Sequence, residues 1–202
     1  MRADARRRRD AIISTACSLA RTRHEDAIPL EEIAQEAGVG IATLYRNFPD
    51  RLSLRQACAE FLIHKATTLL EVADHAITIL EEEHQHGAPS AFSLHIEKIW
   101  DQLMWDLVEL GLGTLMPIFA PNDIASMSPD IREKFDHVIG LLDNVLTHVH
   151  RIGLIDRQFD GITIVIGLST ASRPQVPGLS SLVPDLEKQM VRIFLRGLRP
   201  VS

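Results

Sequence analysis

Ile41, Ala42, Thr43, Tyr45, Arg46 and Asn47 fall on one side of a short stretch whose other side carries Leu44 and Phe48. At helical spacing this turns small, aromatic and hydrogen-bonding groups outward and two large apolar groups inward. An Arg or Asn on such a face can donate to base edges in a major groove, and small neighbours let it come close. Arg6 to Arg9, preceded by Arg2, form a basic arm at the start of the first helical pattern, placed to reach phosphates or a minor groove. Arg2 itself reads better as part of a solvated terminus.

The elements that must hold this face are legible around it. Pro29 suits a first helical position, and Leu30, Ile33, Ala34 and Ala37 line one apolar face behind it. Gly38 ends that helix, since a residue without Cβ can take the left-handed turn, and Gly40 is a permissible N-cap for Ile41 to Asn47. Two short helices pinched around a glycine turn are the build of a helix-turn-helix. Arg7 to Arg23, with Ile12, Ile13, Ala16, Leu19 and Ala20 on one side, supplies a third helix for a small core. Beyond Phe48-Pro49-Asp50, an apolar pattern runs without Gly or Pro from Arg51 to about Glu83, a rod on the order of 50 Å long at ~1.5 Å per residue.

The segment from Ile33 to Leu54 resembles the TetR family of bacterial transcriptional regulators: Ile33, Ala34, Ala37, Gly38, Val39, Thr43, Leu44, Tyr45, Phe48, Arg51 and Leu54 fill the places of that family's motif. The chain departs from the family pattern at His24, at Pro29 where a capping hydroxyl is common, and at Arg51, which keeps the charge of the usual Lys. The resemblance implies that Thr43, Tyr45 and Arg51 hold phosphates or the groove wall, while Ile41, Ala42, Arg46 and Asn47 are the candidates for base reading. Arg6, Arg7, Leu30 and Gly40 complete the expected DNA-facing set.

The bulk numbers suit this division. Of a net charge of −6, residues 1–60 carry +1 and the remainder −7, a DNA-facing head on an acidic body. Further helices are predicted over Ser90 to Leu110, a short piece to Ala120, Ser128 or Pro129 to about Arg151, Phe159 to Ala171, and Leu182 to Leu198. With no strand alternation and no repeat, the fold is expected to be all-α, about nine helices, with a helix-turn-helix domain over 1–50 and a ligand-binding and dimerisation domain over 51–202.

The stretch from Gly161 to Leu168 is apolar all round and needs cover on every side, either inside one chain or from a second subunit. Resemblance to the family tips the expectation toward a homodimer through the last two helices, with Ile162, Ile164, Val165, Leu168, Met190 and Phe194 at the interface. It also places a small-molecule pocket in the body. Phe61, His64, Thr68 and Leu69 are the candidates on one wall, and Trp100, Met104, Met116, Phe119, Phe135 and Ile139 those opposite, although the aromatic and Met residues read equally well as ordinary core.

Other chemistry finds little support. His84-x-His86 and His148-x-His150 point their rings to different helix faces, and no paired metal motif, phosphate loop or nucleophile signature occurs, so neither a metal, a cofactor nor an enzyme is expected. Cys17 and Cys58 read as small buried hydrophobes. No membrane span or signal peptide is present, and a cytoplasmic protein is expected. The function that follows is a transcriptional regulator, a repressor released from a palindromic operator by an unidentified small-molecule effector. The alternative is a regulator or activator without a small ligand, controlled by a protein partner.

Overall fold

Three of the helices end at glycines. Gly38, Gly111 and Gly153 all take positive φ, at 67°, 97° and 71°, a region that costs other residues roughly 1–2 kcal/mol. The computed structural model describes residues 2–21, 28–83, 89–119, 128–175 and 182–200. Among these the fold is all-α, with nine helices and no strand: α1 (Arg2–Ala20), α2 (Leu30–Glu36), α3 (Ile41–Asn47), α4 (Arg51–Glu83), α5 (Pro89–Glu109), α6 (Leu112–Phe119), α7 (Pro129–Arg151), α8 (Gly161–Ala171) and α9 (Leu186–Gly197).

The chain forms two compact units, one built on Met1–Leu62 with Thr114–Ser126 and the other on Ile63–Gly113 with Met127–Ser202. In the first, Ile12, Ile13, Ala16 and Cys17 of α1 bury against Ile33 and Ala34 of α2, Leu44 of α3 and Phe48. Leu54, Ala57 and Cys58 belong to the same core. Residues 51–62 of α4 therefore belong with the helix-turn-helix by packing.

In the second unit α7 packs on α5 and α8, and α8 on α5 and α9. Its buried side chains include Trp100, Met104, Leu142, Val145, Val149, Ile164, Leu168 and Val191. Gly167 lets α8 and α9 close, because a Cβ there would lie 2.4 Å from the Phe194 ring. Glu81 ties α4 to α7, accepting hydrogen bonds from His148 Nδ1 at 2.7 Å and from Arg151 at 2.7 Å.

Several helix boundaries differ from the sequence reading. α1 begins at Arg2, so the basic block is helical, supported by the Asp4–Arg7 pair and by Arg6–Asp10 at 4.0 Å. α5 begins at Pro89, which occupies a first helical position without losing a needed donor. α8 begins at Gly161, since the Asp160 side chain accepts from Thr163 N and caps the helix there. α9 begins at Leu186 rather than Leu182: Pro184 disfavours helical backbone at Val183, and Asp185 is left-handed with φ 59°.

Packing also redistributes the residues expected at the dimer interface. Ile164, Val165 and Leu168 are buried within this chain, and Phe194 is half-buried beside Gly167. Of that set only Ile162 and Met190 are exposed, together with Ile166 and Ile193, which the sequence reading did not single out. α8 is apolar all round because its own chain covers one side while a second apolar stripe faces outward.

Candidate nucleic-acid interface

The turn between α2 and α3 is closed by backbone alone. Gly38 N donates to Gln35 O at 3.0 Å and Val39 N to Ala34 O at 2.9 Å, satisfying carbonyls at the end of α2. A Cβ on Gly38 would meet nothing within 4 Å, so its requirement is the positive φ and not space. Gly40 N-caps α3 with extended backbone and no side-chain cap, and its carbonyl accepts from Thr43 N and Leu44 N. Pro29 stands in the same way at α2, without a side-chain hydrogen bond.

Leu44 and Phe48, both essentially inaccessible, anchor α3 in the core of the first unit. Ile41, Ala42, Tyr45 and Arg46 are exposed, while Leu30, Thr43 and Asn47 are half-buried. The outward face expected from the sequence is therefore present on one helix. Two of its members are held back on that helix: Arg46 donates through Nε to Ala42 O at 3.0 Å and through its terminal nitrogen to Thr43 Oγ1 at 3.2 Å. Asn47 Nδ2 donates to Thr43 O at 2.8 Å. Exposed hydrogen bonds of this kind contribute only about 1 kcal/mol, so a base edge can compete for both side chains.

Arg51 has a role that the sequence reading did not find. Its guanidinium donates to Ile28 O at 2.7 Å and is half-buried, joining the first residue of α4 to the strut that leads into α2. A second unforeseen contact sets the Arg9 guanidinium 5.0 Å from the Phe48 ring centroid, linking α1 to the end of α3. Both were invisible because they join residues far apart in sequence. Arg6 and Arg7 remain highly exposed despite their pairs with Asp10 and Asp4.

At the start of α4, Asp50 Oδ1 accepts from Ser53 N at 2.7 Å, an N-cap that fixes where the helix leaves α3. Arg51 is thereby held in the first turn.

The residues expected to line an effector pocket are divided between the two units. Phe61 and Met116 belong to the first unit, and the remaining described ones to the second. His64 and Thr68 are exposed, with the Thr68 hydroxyl donating to His64 O, while Leu69, Phe135 and Ile139 are half-buried and Trp100 and Met104 are buried. The side chain of Phe119, together with His24, His84 and His86, lies outside the described residues. Among the described residues no group of three or more His, Cys, Asp or Glu could hold a metal ion. No helix among them is long and apolar enough to cross a membrane.

Residues 12–58 match the family model of the bacterial regulatory proteins, tetR family. No curated protein sequence matches the chain. Solved structures share its fold: the TetR transcriptional regulator SCO0520 from Streptomyces coelicolor is similar with a TM-score of 0.54 and 23% identity over 96% of this chain and 99% of that one. A gamma-butyrolactone receptor, an ArpA-like protein, aligns with a TM-score of 0.54 and 20% identity, covering 98% and 91%. The TetR family protein CprB from S. coelicolor A3(2) aligns with a TM-score of 0.52 and 19% identity, covering 98% and 92%.

Proposed function

We infer that this chain is a DNA-binding transcriptional regulator of the kind whose family model its residues 12–58 match, and that it acts as a homodimeric repressor that leaves a palindromic operator when a small molecule binds its second unit. The observation that carries the DNA-reading part is the face of α3, where Ile41, Ala42, Tyr45 and Arg46 are exposed while Leu44 locks the helix to its core. Arg46 and Asn47 are the donors for base edges. Thr43 and Tyr45, with Arg6 and Arg7, supply the phosphate contacts.

A second copy is supported by the outward stripes of α8 and α9. Ile162, Ile166, Met190 and Ile193 stand in solvent on two helices that pack on each other, and a two-fold axis through such a patch makes it self-complementary. Two α3 helices on that dimer would meet successive major grooves about 34 to 36 Å apart.

Control by an effector is supported by α4, one uninterrupted helix that belongs at its start to the first unit and at its end to the second. A ligand that favours one placement of α4 shifts DNA affinity only by its differential affinity for the two states, and DNA must weaken ligand binding by the same factor.

The deciding experiment measures binding of the wild-type protein to duplexes from the DNA beside its own gene, then repeats it with Arg46→Ala. Specific binding whose ranking among operator variants changes in Arg46→Ala supports the reading. An unchanged ranking removes Arg46 from base recognition, and the absence of any preferred duplex removes operator binding. Effector control is tested by small molecules that release the bound duplex: equal effector affinity with and without saturating operator would exclude the coupling.

A further inference from the structure

On the second unit, a cavity of about 150 Å³ is lined by Trp100, Trp105, Asp101 and three arginines, Arg192, Arg196 and Arg199. Arg192 and Arg196 are one turn apart on α9, and Arg199 follows just beyond its end. The three differ in how they are engaged. Arg199 pairs with Glu97, and the Arg192 guanidinium lies 5.9 Å from the Trp105 ring centroid. The exposed Arg196 side chain has neither an ion pair nor a hydrogen bond among the described residues.

The sign of the cleft decides the sign of its ligand. Three guanidiniums stand against two carboxylates, Asp101 in the lining and Glu97 paired with Arg199, so the cleft keeps a net positive charge, repelling a cation and attracting an anion. Burial first, and the neighbouring Glu97 charge second, raise the Asp101 carboxyl above its ordinary value against the lowering pull of Arg199. The indole walls decide the shape, since stacked or edge-on rings gain more there than a compact inorganic ion can. A volume well under the ~300–1,000 Å³ of pockets for larger ligands limits the occupant to about one ring.

We propose that this cleft binds a small planar aromatic carboxylate, its carboxylate held by the fork of Arg196 and its ring laid against Trp105. Guanidinium and carboxylate match as parallel donor and acceptor pairs, which a lysine could not reproduce. Arg192, already over Trp105, closes the ring side.

Trp100 and Trp105 are the chain's two tryptophans, so its intrinsic fluorescence reports on this cleft. The test titrates the full chain, without DNA, with sodium benzoate at fixed ionic strength. Parallel titrations use benzamide, which keeps the ring and loses the charge, and inorganic phosphate, which keeps the charge and loses the ring. A saturable fluorescence change with benzoate is expected, with both controls weaker by about tenfold or more. Arg196→Gln should weaken benzoate binding by about tenfold with an unchanged thermal melt, since the exposed side chain has no ion pair or hydrogen bond among the described residues to lose.

No saturable response to benzoate overturns the proposal, as does equal binding of benzamide or of phosphate, or an Arg196→Gln protein that binds benzoate like wild type. Because no operator is present, these outcomes are independent of whether any effector controls DNA binding.

Discussion

Arg51 has a place in the fold that its charge alone does not announce. The resemblance of residues 33–54 to the TetR motif implies a phosphate contact for it, yet in the structure the guanidinium is half-buried on Ile28 O. Arg51→Ala should therefore cost about 1–2 kcal/mol of stability in the first unit, the magnitude of a partly shielded charge-assisted hydrogen bond. If the same arginine also touches DNA, the salt dependence of operator binding should flatten by about one phosphate contact. A lowered melting temperature with an unaltered salt slope would make Arg51 purely structural. The sequence carries the charge of this residue plainly, but not the bond, whose acceptor is a backbone carbonyl 23 positions away. Exposure on α3 was legible for a different reason: helical periodicity fixes which side Leu44 and Phe48 occupy, and the remaining side chains follow.

At the scale of the element, α8 separates periodicity from packing. Its composition called for cover all round, and the sequence could not say which apolar residues its own chain would cover. The structure buries Ile164 and Leu168 completely and leaves Ile166 half-exposed at 52%. Two substitutions of the same chemistry should then act oppositely. Ile166→Glu is expected to give a folded monomer, whereas Ile164→Glu should lose several kcal/mol by burying an unpaired charge and should fail to fold. Ultracentrifugation paired with circular dichroism checks both, and an Ile166→Glu protein that remains dimeric would move the interface elsewhere. The ends of the helices were readable where Gly forced them, as at Gly38 and Gly153, and misread where a local cap, a nearby Pro or a left-handed Asp185 set the boundary. The expected lining of an effector pocket has no comparable local signal, because ring and methionine residues serve cores and cavities alike. Of the expected set Trp100 alone lines the cleft beside α9, whose arginines carry no local signal that distinguishes them from solvated charges.

Across the whole molecule, the two units differ in what holds them. The second relies in part on a polar clasp: Glu81 receives hydrogen bonds from His148 and Arg151, and His148 Nε2 lies 3.5 Å from Asp74. Burial, the largest influence on Glu81, pushes its carboxyl up, and the His148 and Arg151 hydrogen bonds and charges together reverse this and hold it below its usual range. A depressed carboxyl stabilises the fold above its unfolded-state value and loses that contribution as pH falls through the folded one. Glu81→Gln should accordingly be slightly less stable at neutral pH, by about a few tenths of a kcal/mol given its solvent access, and its urea midpoint should fall less steeply on acidification. An identical acid dependence in the two proteins would show the clasp to be energetically silent. The first unit has its own hidden feature in Cys17 and Cys58, both unoxidised and buried in its core. Since a shielded sulfur reacts only when its surroundings open, the rate at which a thiol reagent modifies the chain measures how often that core breathes. The tryptophans both lie in the other unit, so the native molecule carries two separate clocks. Labelling rates and fluorescence followed along one urea series should coincide if the protein melts as a single cooperative body, and should part if its reading head loosens first.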